Sequence, residues 1–138
     1  MDPATWAEKG NRDYRAGDWD NAISSFKNSL TLDPDQPETW FLKGCCEFAL
    51  EEYREALDSL RETLGQKPDH WYAANDIAVI LWILGEREAA RQYLDTAWDH
   101  CPPGTSGHDV IAANRGIAGS GGHGTFSFLK LGAPGTPA

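Results

Sequence analysis

The chain has 138 residues, 41% hydrophobic and 24% charged, and its 21 acidic against 12 basic side chains give a formal net charge of −9. A pI near 4.7 argues against nucleic-acid or anionic-membrane partners, which would repel this surface before contact. The length suits one domain plus a tail rather than two domains. With no basic-then-apolar leader and nothing approaching the roughly 18 apolar residues of a membrane span, a soluble, cytoplasmic protein is expected.

Pro3 is tolerated in a first helical turn, where its missing N–H would go unpaired anyway, so a helix is expected from Pro3 to Ala16, with Gly17 and Asp18 forming a turn. A second helix carrying Ala22, Phe26 and Ser29 closes before Pro34. The next pair is expected over Pro37 to Leu50 and Tyr53 to Gln66, and a third over Trp71 to Leu84 and Arg87 to His100. A proline just past a helix end pushes its predecessor out of helical geometry, so Asp33, Lys67 and Cys101 should be non-helical.

Pro34, Pro68 and Pro102 stand 34 residues apart, and the same step aligns most of what lies between them. Trp6 falls with Trp40 and Ala74, Gly10 with Gly44 and Ala78, and Tyr14 with Phe48 and Trp82. Ala22 falls with Ala56 and Ala90, Phe26 with Leu60 and Leu94, and Ser29 with Thr63 and Ala97. One helical hairpin is therefore written three times, over 3–36, 37–70 and 71–104. The alanines mark where paired helices cross, and Gly10 and Gly44, costly in a helix interior, signal close approach by a neighbour. Trp6, Trp19, Trp40 and Tyr53 read as packing residues.

These residues resemble the tetratricopeptide repeat family, over roughly residues 3 to 104. The resemblance implies an all-α fold, an α-α superhelix of three stacked hairpins. It also implies a concave face lined by the first helix of each hairpin that binds an extended peptide. Carried onto this chain, that face holds Asn11, Tyr14, Phe41, Leu42, Cys45, Phe48, Tyr72, Asn75, Val79, Trp82 and Ile83 as candidate binding residues, flanked by Ala7, Glu8, Arg15, Ala49 and Asp76. So apolar a set suggests a groove for a protein or peptide partner of apolar or basic character. Family members that grip acidic chaperone tails use a two-carboxylate clamp. The matching positions here are Ala7, Asn11, Leu42, Tyr72 and Asp76, of which only Asn11 keeps the clamp's residue type, so such tails are not expected to bind. The alternative to an adaptor is self-association through the groove or the last repeat's edge.

Catalysis is not expected. Thr105 and Ser106 beside His108 lie in a Gly- and Pro-rich connection with nothing to orient them, and the glycine run at 119–124 lacks the lysine of a phosphate loop. Neither a metal nor another cofactor is expected either, because Cys45, Cys46 and Cys101 have no Cys-x-x-Cys spacing alongside His100 and His108. Beyond the repeats, Ser106 or Asp109 caps a short helix expected within 105–118, with Val110, Ile111, Ala113 and Ile117 covering the last repeat. A Gly/Pro-rich tail over 119–138 contains an apolar island at 125–131, which is expected to be disordered, to fold back into the groove of its own or a neighbouring molecule, or to serve as a free adhesive motif for a partner.

Overall fold

Helix starts and stops follow from local chemistry. Asp2 accepts the Thr5 amide at 2.8 Å ahead of Pro3, Asp18 faces the Asn21 amide at 3.4 Å, and Nδ1 of the buried His70 accepts the Ala73 amide at 3.2 Å. The computed structural model describes residues 1–119. It is all-α, with seven helices and no strand among the described residues: α1 Pro3–Arg15, α2 Trp19–Leu32, α3 Pro37–Ala49, α4 Tyr53–Gln66, α5 Trp71–Ile83, α6 Arg87–His100 and α7 Ser106–Gly119. None of these is long and apolar enough to cross a membrane. The apolar island at 125–131 and its fold-back lie outside the described residues.

Each first helix ends one residue before the expected position, because Ala16, Leu50 and Leu84 act as C-caps. The turns that follow are three copies of one motif. Asp18 N–H donates to Asp13 O at 2.9 Å, Glu52 N–H to Glu47 O at 2.8 Å and Glu86 N–H to Leu81 O at 2.8 Å, the six-to-one bond of a Schellman cap. That cap needs a left-handed residue, supplied by Gly17 (φ 76°), Glu51 (φ 60°) and Gly85 (φ 85°). Only Glu51 carries a Cβ into this region, at about 1–2 kcal/mol for an L-residue. Glu51→Gly should therefore raise stability by up to about 1 kcal/mol once glycine's greater unfolded-state freedom is offset, read as a higher melting temperature. At the other ends, Asp33, Lys67 and Cys101 leave helical geometry as their prolines require.

The described chain divides into two compact units, Met1–Lys67 with α1 to α4, and a second beginning at Pro68 with α5 to α7. In the first unit, α1 packs on α2, α3 on α4 and α2 on α3. Ala22 and Ala56 are fully buried at the crossings, and a Cβ added at Gly10 would lie 2.5 Å from the Phe26 ring. At Gly44 the same atom would lie 3.0 Å from Leu60. Side chains then stitch the two hairpins together. Pro34 O accepts both the Trp40 indole N–H at 2.9 Å and the Gln66 amide at 2.8 Å, while inside the first hairpin Ser29 Oγ donates to Pro3 O at 2.7 Å.

In the second unit α5 is buried from Ala73 to Trp82, and Ala90, Leu94 and Ala97 of α6 are buried as well. Helix α7 is fastened to α6. Arg91 donates through Nε and a terminal nitrogen to Ala118 O at 3.2 and 3.0 Å, and Arg115 pairs with Asp95 at 3.2 Å. The Trp98 ring meets both His108, at 3.9 Å between centroids, and the Arg115 guanidinium at 4.8 Å. The buried residues of α7 are Gly107, Ile111, Asn114 and Ala118, whereas Ala113 is exposed. The asparagine is buried because its Nδ2 donates to Asn75 Oδ1 at 2.9 Å.

Candidate functional site

On α1, the spacing of Asn11, Tyr14 and Arg15 puts all three on one helix face. Together with Leu42 of α3 they line a cavity of about 310 Å³. Its apolar wall is fixed from behind. Tyr14 and Leu42 pack against the core formed by Ala22, Ile23, Phe26 and Cys46, and the Tyr14 ring stands edge-on to Trp19 at 5.7 Å. Arg15 Nε donates to the main-chain O of Asn11, one turn back, at 3.3 Å. An amide that both donates and accepts suits a peptide backbone, and the ring with the leucine suits an apolar side chain.

The other candidates of this unit are distributed differently. Phe41 and Cys45 are fully buried and belong to the interior. Phe48 is half-buried and tilts against Tyr53 at 5.5 Å. In the second unit, Tyr72 is half-buried beside His70 and Trp71, at 4.1 and 4.9 Å between ring centroids. Asn75 and Val79 are interior. Trp82 is 8% exposed with the Arg87 guanidinium 4.5 Å from its ring centre, and Ile83 is 48% exposed. Within the first unit the cavity thus joins Asn11, Tyr14 and Leu42, and adds Arg15, a flanking residue of the sequence-derived set. Asp76 is fully buried, and its Oδ1 accepts from Asn75 Nδ2 at 3.3 Å.

A feature the sequence reading missed lies behind this face. Lys43 Nζ bonds Glu47 Oε2 at 2.9 Å and Ser59 Oγ at 3.0 Å, and Ser59 Oγ lies 2.6 Å from Glu47 Oε1, closing a buried triangle. A looser version joins Lys9 to Asp13 at 3.1 Å and to Ser25 at 3.4 Å. The 34-residue step aligns the two sets, and in the third hairpin it reaches Ile77, Leu81 and Tyr93, so the signal was present in the alignment. Beside the triangle, burial pushes the Cys46 thiol up to about 12, with Glu47 adding to the shift and Lys43 opposing it. A thiol so held is neither a ready nucleophile nor a ready metal ligand. Among the described residues no three His, Cys, Asp or Glu side chains converge as a metal site would need.

Among known proteins, a family model described as tetratricopeptide repeat matches residues 8–53 and 47–104. The fold is similar to the first tetratricopeptide domain of Spaghetti (RPAP3) bound to the HSP90 peptide SRMEEVD, at 16% identity over 86% of this chain and 91% of that one, with a TM-score of 0.77. It is similar also to the Yersinia enterocolitica type III secretion chaperone SycD in complex with a peptide of the translocator YopD, at 16% identity, 86% and 92% coverage and a TM-score of 0.79. PcrH in complex with the chaperone binding region of PopD matches at 23% identity, 86% coverage of each chain and a TM-score of 0.71. At these identities the likeness is one of fold. Curated proteins gave no match. With the family model covering the repeats from residue 8 to 104 and every hairpin turned by the same cap, the chain belongs to the tetratricopeptide repeat family.

Proposed function

We propose that this chain is a non-catalytic protein-interaction module that holds an extended, largely apolar segment of a partner protein on the α1–α3 face of its first unit. The observation that carries the reading is the cavity of Asn11, Tyr14, Arg15 and Leu42, in which a backbone-matching amide stands beside an apolar wall that the core holds rigid. Rigid walls lower the ordering cost of binding, which is where much of a peptide's affinity is lost. Support also comes from the solved relatives, whose names place a peptide or a partner's binding region on the same fold. The net charge of −9 favours a partner with basic flanks and speeds its approach at low salt.

Leu42 and Ala7 stand where a carboxylate clamp places polar or cationic groups, so the segment is not an acidic tail of the SRMEEVD kind. A pulldown from cell extract, run in parallel with Tyr14→Ala and Leu42→Asp proteins that melt cooperatively, tests the assignment. Wild-type protein should retain a partner that both variants lose by roughly tenfold or more, as expected for truncating a central contact. Equal retention by all three would contradict it.

A further inference from the structure

Lys43 is 9% exposed, a poor place for an ammonium unless its protons are met. Two of them are met, by Glu47 Oε2 at 2.9 Å and Ser59 Oγ at 3.0 Å. An ammonium has three N–H donors, and among the described residues no third acceptor stands against this one. The same side chain lines a second cavity, of about 340 Å³, with Trp40 of α3 and Lys27, Leu30 and Thr31 of α2. Lys43 Nζ lies 5.6 Å from the Trp40 ring centroid, and the Trp40 indole N–H is already given to Pro34 O, so ring and ammonium are both fixed in place. Lys27 is exposed and has no ion-pair partner among the described residues.

Two lysines, a tryptophan and a leucine therefore line a cavity to which no carboxylate contributes, Glu47 pairing with Lys43 from the interior, in a chain with nearly twice as many acidic as basic residues. We propose that this cavity is a second docking site, taking a short acidic and apolar stretch of a protein partner. One of the partner's carboxylates would lie against Lys27, and its apolar neighbour against Leu30 and Trp40. The volume is at the small end of ligand pockets, which suits one acidic side chain and one apolar neighbour. Glu47 neutralises the buried Lys43, so Lys27 supplies the charge that a partner's carboxylate would meet. The site is a property of the α2–α3 junction, with Lys27, Leu30 and Thr31 from the first hairpin and Trp40 and Lys43 from the second.

The inference does not rest on the α1–α3 reading, because the two cavities share no lining residue. Isothermal titration of the full chain with a blocked leucine–glutamate peptide, and with its leucine–lysine counterpart, tests it. The glutamate peptide should bind measurably and the lysine peptide much more weakly. Lys27→Glu should weaken the glutamate peptide by roughly tenfold, as a charge reversal at a partly screened pair would, while Lys27→Arg keeps it. Because Lys27 is exposed, neither Lys27 variant should move the thermal midpoint, so a loss of binding reports the site rather than the fold. No binding of the glutamate peptide at millimolar concentration, equal binding of both peptides, or indifference to Lys27→Glu would overturn the proposal.

Discussion

Glu47→Ala should destabilise the protein by about 3–5 kcal/mol, measured as a loss of unfolding free energy in urea, because it leaves the ammonium of Lys43 buried without its counter-charge. Side-chain exposure of the pair is 11% for Lys43 and 3% for Glu47, so solvent does little to replace the missing carboxylate. Removing the whole network should have the opposite outcome. Lys43→Ile with Glu47→Leu and Ser59→Ala copies the apolar chemistry of Ile77 and Leu81 and leaves no buried polar atom behind. That triple variant should be as stable as the wild type or more so, by about 1–4 kcal/mol. The two results together would show that the triangle is costly to break and is not needed for stability. A Glu47→Ala variant within 1 kcal/mol of wild type would mean that water reaches Lys43 readily.

Gly10→Ala should be the next most damaging change of a single small group. Its new methyl would meet Phe26 Cε1 at 2.5 Å and Cδ1 at 2.6 Å, inside a core where that ring is fully buried. Overpacking of this kind costs about 1–3 kcal/mol, against the roughly 0.5–1 kcal/mol that alanine returns in helix propensity. The third hairpin shows the compensated state, with Ala78 and Leu94 at the aligned positions. Phe26→Leu should therefore rescue Gly10→Ala, so that a double-mutant cycle gives a coupling of opposite sign to the single penalty. At Gly44, where the contacts are Leu60 atoms at 3.0 and 3.1 Å, the same substitution should cost less. Additive effects at Gly10 and Phe26 would place the clash elsewhere.

Much of the fold was legible because its signals are local. The prolines, the turn glycines and the 34-residue step fix six helices to within a residue, and the glycines opposite Phe26 and Leu60 report the helix crossings directly. The proposed binding face was legible only in part. A helix face that lines a groove and one that seals a core carry the same apolar spacing, so Tyr14 and Leu42 could not be told from Phe41 or Val79 until burial separated them. On α5 the spacing carries little information, since Ala73 to Trp82 are all buried. The Lys43 triangle was hidden for a different reason. Alternating charges on a helix usually mark a solvated face, and only the serine of the following helix turns them inward. Asn114 escaped notice because its partner, Asn75, is 39 residues away.

The claim that a partner segment lies on the α1–α3 face is tested most directly by nuclear magnetic resonance. The Asn11 side-chain amide and the Leu42 methyl groups would be followed while the segment recovered from the pulldown is titrated into the full chain. Both sets of signals should shift together and saturate at one equivalent, with the Tyr14 ring protons moving in step. Saturable binding that leaves Asn11 and Leu42 unmoved would contradict the account.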